Sequence, residues 1–274
     1  MPDDVILERH ERVARLVINR PERRNALNSS VLAGLRAGLA EVKADDRLRV
    51  VVLTGAGDRA FSAGADLVGP DSPAAGPTTA AGPTTAAGSN ATELHEARGV
   101  LAALLQDLWA LGKPSIARVR GYALAGGMGL ALACDLVVAA EDAVFGTPEI
   151  DIGIWPYMVT VALLQSMPPK RALDLMMTGR RVGAAEGAEL GFVNRVVAVD
   201  GLDQAVDELA AQLARKPPRA LSAGRASFYR VLSLSASDAL AYLHPLLTVA
   251  TETPEAAEGR AAFAEHRPPS WASD

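Results

Sequence analysis

The chain has 274 residues, 49% of them hydrophobic and 22% charged, with a net charge of −5. That is enough to bury a full-sized core in one large domain, with room for a small appendage. No Lys/Arg-rich run points to nucleic acid, and no apolar run reaches the roughly 18–20 residues that span a bilayer.

Two β-rich stretches open the sequence, Val5-Ile6-Leu7-Glu8 and Val13 to Ile18. The polar residues between them, Arg9 to Arg12, predict a hairpin or meander. The amino terminus, Met1-Pro2-Asp3-Asp4, lacks the basic and apolar regions of a signal peptide, so a cytoplasmic location is expected. Pro21 ends the second strand. Ser29 and Ser30 are expected to cap a helix with apolar Val31, Leu32, Leu35, Leu39 and Val42 on one face. Arg49-Val50-Val51-Val52-Leu53-Thr54 reads as a strand buried on both faces, and a glycine-rich loop follows from Gly55 to Gly69.

Residues 70–90 nearly repeat Ala-Gly-Pro-Thr-Thr and carry no hydrophobic payload, which predicts a flexible, low-complexity surface loop. A helix from about Thr92 to Leu111 comes next, then a strand over Ser115 to Val119. Gly121 to Gly129 is a loop running into a helix that ends near Cys134. That cysteine has apolar flanks and no partner in the chain, so it reads as a small buried hydrophobe. Asp135 to Ala140 is a strand. Helices are expected near 158–167, 169–178, 184–190, 202–216, 218–232, 236–250 and 254–266, with one strand from Val193 to Val199. An α/β core over residues 1–199 followed by a helical region over 200–274 is the resulting layout. Such a tail suits oligomer contacts.

Three segments carry chemistry. In Phe61-Ser62-Ala63-Gly64-Ala65-Asp66-Leu67, small residues let the backbone approach a ligand closely. In Gly121-Tyr122-Ala123-Leu124-Ala125-Gly126-Gly127-Met128-Gly129, a helix N-terminus offers unpaired N–H groups and partial positive charge. It is neither a Walker A loop nor a dinucleotide fingerprint. In Phe145-Gly146-Thr147-Pro148-Glu149-Ile150, a glutamate sits in apolar surroundings, where burial would let it exchange protons near neutral pH. Each segment alone also fits a plain structural role: a tight turn, helix–strand packing, a strand-end carboxylate. Asp135 and Asp151 read as structural acids that hydrogen-bond backbone.

Together these segments resemble the crotonase superfamily of enoyl-CoA hydratases and isomerases. The likeness begins at Asn19-Arg20-Pro21-Glu22-Arg23-Arg24-Asn25-Ala26-Leu27-Asn28 and Leu53-Thr54-Gly55-Ala56-Gly57. It continues through the three segments and Cys134-Asp135. It runs on through Ala172 to Gly179 and Gly191 to Val197, and closes with Glu258-Gly259-Arg260-Ala261-Ala262-Phe263. The Trp155 region and the stretch from Pro169 to Phe263 look most like a subgroup of enoyl-CoA hydratase-domain proteins.

The resemblance implies a spiral core of ββα repeats, followed by a C-terminal helical oligomerisation region that builds a homotrimer or hexamer. It implies an acyl-CoA thioester as ligand, as in fatty acid metabolism, with coenzyme A part of the substrate and no separate cofactor or metal. Its oxyanion-hole N–H groups map onto Ala65 and Gly126, and its acid/base onto Glu149. The CoA portion maps along Arg23, Arg24, Ala26, Ala63, Asp66, Leu67 and Leu124. The family's late basic residue reads His266, next to Arg267. The second glutamate of the hydratases maps onto Gly129, which has no side chain and would leave room for a different acyl group or a water. Asp151 or Tyr157 is the expected substitute contributor. A single glutamate fits the Δ3,Δ2-enoyl-CoA isomerases of the family better than its hydratases. Thioester hydrolysis, C–C chemistry and simple acyl-CoA binding are the remaining readings.

Overall fold

The computed structural model describes residues 4–67 and 89–272. The expected loop therefore lies almost wholly outside the described residues; its last two positions, 89–90, belong to a helix.

Strands β1 (Val5–His10) and β2 (Val13–Ile18) form the expected antiparallel hairpin, with Glu11 in left-handed backbone at φ 51° in the turn. Helix α1 (Ser29–Ala44) is capped by Asn28 rather than by the two serines. Asn28 has extended backbone and its side chain accepts from Val31 N–H at 2.8 Å, whereas Ser29 and Ser30 already lie inside the first turn.

From here the chain alternates between two sheets. Strand β3 (Val50–Gly55) joins the large sheet and β4 (Ala60–Ser62) the small one, and helix α2 (Ser89–Trp109) returns. Strands β5 (Ser115–Val119) and β6 (Tyr122–Leu124) repeat the step, followed by α3 (Gly126–Ala133). Strands β7 (Leu136–Ala140) and β8 (Val144–Gly146) repeat it again, followed by α4 (Tyr157–Ser166) and α5 (Pro169–Thr178). This is the expected ββα spiral. Strand β9 (Arg181–Gly183), helix α6 (Ala184–Leu190) and strand β10 (Arg195–Val197) complete the sheets, β10 being shorter than the strand expected from Val193 to Val199. The six-stranded sheet runs β1-β2-β3-β5-β7-β10 and the four-stranded sheet β4-β6-β8-β9.

The unbroken apolar run of β3 has a simple cause. Val51 and Leu53 face the core under α1 and α2, while Val50 and Val52 face a second cluster formed with Leu202, Val206 and Leu209 of α7 (Leu202–Ala214). A strand covered on both faces cannot alternate polar and apolar residues. Helices α8 (Pro218–Val231) and α9 (Ala236–Thr251) contain no buried residue, and α10 (Pro254–Ala264) buries only Ala262. The first of them is tied to the core through Asp135. That carboxylate accepts from Ser115 N at 2.8 Å, Ser115 Oγ at 2.9 Å, Arg225 Nε at 2.7 Å and Tyr229 Oη at 2.5 Å. Cys134 is buried, and burial pushes its thiol well above the ordinary range.

Candidate active site

The three chemistry-bearing segments are brought together by the small sheet. Strands β4, β6 and β8 are parallel neighbours. The loop from Ala63 follows β4, the turn at Ala125 and Gly126 follows β6, and the turn with Glu149 follows β8. All three therefore leave the same edge of the sheet side by side.

The first loop is held by Leu27. Leu27 N–H donates to Gly64 O at 2.8 Å, and Asp66 N–H donates to Leu27 O at 3.0 Å. These two bonds flank Ala65, so the N–H of Ala65 points away from Leu27. Among the described residues, no backbone acceptor takes it. Gly64 adopts φ 88°, and a Cβ there would stand 2.6 Å from Ala125 Cβ and 2.9 Å from Leu124 O. Only glycine permits both the left-handed backbone and the close approach to the second loop.

Ala125 is a non-glycine residue at φ 52°, ψ −127°. Such backbone costs of order 1–3 kcal/mol and persists where surrounding structure fixes it. Here the fixing bonds are Ala125 N–H to Gly146 O at 2.8 Å and Gly129 N–H to Ala125 O at 3.1 Å. The strain turns the chain so that Gly126 begins α3. Its N–H has no backbone acceptor among the described residues, as expected at the first position of a helix. Gly127 allows α3 to sit against β4, since a Cβ there would lie 2.4 Å from Ser62 O.

Glu149 lies in the 3-10 turn Pro148–Ile152, half-buried, with Oε2 shut off from solvent and without a hydrogen-bond partner among the described residues. Burial pushes its carboxyl above the ordinary value, opposed only by its own backbone N–H. Among the described residues no neighbouring charge contributes.

Of the expected substitute contributors, Tyr157 is 75% exposed at the start of α4, and Asp151 is exposed beside Gly179. Gly129 does not leave room. A Cβ there would lie 3.0 Å from Val159 Cγ2, so a side chain at this position would crowd the isopropyl group of Val159.

Of the residues assigned to CoA, Asp66 is 4% exposed and paired with Arg20 at 3.0 Å and Arg23 at 3.3 Å, its carboxylate bracing the loop. Arg23, Arg24 and Leu67 are exposed, whereas Ala26 and Leu124 are buried and Ala63 is intermediate. His266 is exposed at φ 54°, and Arg267 is paired with Glu258. Sequence reading passed over Asn25 as a framework residue. It is fully buried at φ 55°, donating to Ala56 O at 2.9 Å and Ala60 O at 2.7 Å and accepting from Arg20 N–H at 3.0 Å. Its tolerance of left-handed backbone was the available signal. Val159 offered none, since a valine in an apolar helix reads as core.

No group of three potential metal ligands occurs among the described residues, and no helix among them is long and apolar enough to cross a membrane.

Known proteins share both sequence and fold with this chain. It is 35% identical over 98% of both chains to the 2,3-dehydroadipyl-CoA hydratase of Escherichia coli K12. It is 31% identical to the crotonyl-CoA hydratase of Syntrophomonas wolfei, covering 97% of this chain and 96% of that one. The crystal structure of an enoyl-CoA hydratase from Mycobacterium smegmatis superposes with a TM-score of 0.87 at 32% identity, covering 98% of this chain and 99% of that one. The pattern of the enoyl-CoA hydratase/isomerase family matches residues 8–274, and the chain belongs to that family of enzymes.

Proposed function

We propose that this enzyme moves a double bond within an enoyl-CoA thioester, with Glu149 as its single proton carrier. The thioester oxygen sits between the N–H groups of Ala65 and Gly126. Glu149 takes a proton from the α-carbon of a 3-enoyl thioester, and the resulting dienolate holds its negative charge on the oxygen between the two donors. The same carboxyl then returns the proton to the γ-carbon, giving the 2-enoyl product. Fixed donors aimed at a developing oxyanion contribute about 3–4 kcal/mol each. Coenzyme A enters as part of the substrate, along Arg23, Arg24, Ala26, Ala63, Asp66, Leu67 and Leu124, and the step balances without a further cofactor.

The observation that carries this reading is the solitary carboxylate: among the described residues no charge contributes to the raised position of Glu149, and Gly129 brings no second carboxyl group. Hydration asks for a second group to orient and deprotonate water. The raised position of the Glu149 carboxyl suits a group that must both take and give a proton near neutrality. Hydration is the second reading, favoured by the activities named for the relatives. Two assays separate them. A 3-enoyl-CoA that gains the conjugated-enoyl absorbance band reports isomerisation, and crotonyl-CoA that loses it reports hydration. Hydration at a rate equal to or above isomerisation would sink the proposal.

The same proposal includes a homotrimer or hexamer. Phe228, Leu240, Leu247 and Val249 on α8 and α9 are large, apolar and exposed, and neither helix buries a residue in the single chain. Light scattering that shows a monomer at micromolar concentration would overturn this part.

A further inference from the structure

The end of the large sheet opposite the candidate active site holds a second cleft, of about 680 Å³. That lies within the range of about 300–1,000 Å³ typical of small-molecule sites. It opens between the C-terminal end of α1, the starts of β3 and β5, and the junction of α7 with α8. Its walls carry Lys43, Arg49, Lys113, Lys216, Arg219 and Arg225 against one acid, Asp46. This concentration of positive charge occurs in a chain whose net charge is −5.

Half of these cations have structural employment. Lys43 Nζ donates to Ala110 O at 3.0 Å. Lys113 Nζ donates to Val42 O at 2.5 Å and Asp45 O at 2.7 Å, closing the end of α1. Arg225 is paired with Asp135 at 2.7 Å. The side chains of Arg49, Lys216 and Arg219 have no ion pair or acceptor among the described residues. Arg49 is the telling one: its Nε and Nη1 are shut off from solvent and have no hydrogen-bond partner among the described residues. Two donors left without water or an acceptor are expensive unless something completes them. Burial lowers the affinity of neighbouring Lys113 for its proton, partly offset by the charges of Asp46 and Asp45, with Arg49 adding a smaller push in the lowering direction. Trp109 and Leu221 add an apolar wall.

We propose that this cleft binds a phosphorylated small molecule, with its phosphate among Arg49, Lys216 and Arg219 and a flat apolar portion against Trp109. A phosphate brings up to two negative charges and several acceptor oxygens to three unpaired cations, a better match than a single carboxylate. The site is separate from that of the acyl-CoA. Arg49 precedes β3 and the Ala65 loop lies beyond its far end, and the six residues of β3 alone span about 20 Å.

Isothermal titration of the full chain with sodium pyrophosphate, in low salt and with saturating coenzyme A, tests the proposal. Saturable binding is expected, weakened at least tenfold by Arg49→Gln and by the double variant Lys216→Gln/Arg219→Gln. Both altered residues of the double variant are exposed, so it keeps the test decisive if Arg49→Gln fails to fold. No saturable binding, equal affinity in the double variant, or displacement of pyrophosphate by coenzyme A would each overturn it. Citrate binding as tightly as pyrophosphate would overturn the assignment to phosphate. Phenyl phosphate should bind more tightly than inorganic phosphate, and equal affinities would remove the role given to Trp109.

Discussion

A methyl group placed on Gly129 would stand 3.0 Å from Cγ2 of Val159, so a side chain at this position of α3 crowds one of α4. The two positions form a pair, and changing one alone overpacks the contact. Gly129→Glu should destabilise the fold by about 1–3 kcal/mol and leave crotonyl-CoA hydration no better. Gly129→Glu/Val159→Ala should relieve the crowding and raise hydration at least tenfold over the single variant. Thermal melts and the crotonyl-CoA assay read the two effects.

Glu149→Gln keeps the shape of the side chain and removes its proton exchange. Its kcat should fall by about 10²–10⁴-fold, with substrate affinity little changed. The same variant has a pH signature. Burial raises the folded carboxyl above its ordinary value of 4.5, so the fold favours the protonated form. The stability this contributes is fully present below the unfolded value and is lost as pH rises through the folded one. Glu149→Gln should therefore melt higher than the wild type at neutral and alkaline pH. The gap should close as the pH falls below 4.5.

Gly127→Ala places a carbon 2.4 Å from Ser62 O and must push the start of α3 away from β4. That shifts the Gly126 N–H, and loss of one such donor costs about 10²–10³-fold in kcat. Gly224→Ala on α8 meets nothing within 4 Å and serves as the control. It should gain about 0.5–1 kcal/mol by helix propensity and leave activity unchanged. Equal effects of the two substitutions in steady-state assays would contradict this placement of Gly127.

Arg225→Ala removes one partner of a largely buried ion pair and leaves the Asp135 carboxylate without its counter-charge, held only by Ser115 and Tyr229. The expected loss is roughly 3–5 kcal/mol, seen as a lower midpoint in urea. Because Arg225 ties α8 to β7 and the end of α2, hydrogen exchange should quicken first in α8.

Parts of the fold were legible in the sequence for different reasons. The β3 run announced a strand covered on both faces, because a doubly buried strand has no polar face to show. Helix positions from α4 to α10 followed from apolar spacing and Pro/Gly boundaries. The cap of α1 was missed by one residue, since Ser29, Ser30 and Asn28 are all good caps and only backbone geometry selects among them. The strands of the small sheet did not stand out: three residues of β4, β6 or β8 are too few to display a period.

By itself the sequence determined the chemistry on offer: two loops of small residues with backbone donors and one glutamate in apolar company. These are local properties, fixed by which side chains are absent. Only the tertiary structure decided that the three segments meet, because their meeting depends on the order β4-β6-β8, a pairing of residues separated by dozens of positions. It also decided that the space beside Gly129 belongs to Val159, and that Arg49 lies unpaired in a cleft at the other end of the sheet. Which side chain fills a gap, and which charge lacks a partner, are properties of packing and burial that no single stretch of chain contains.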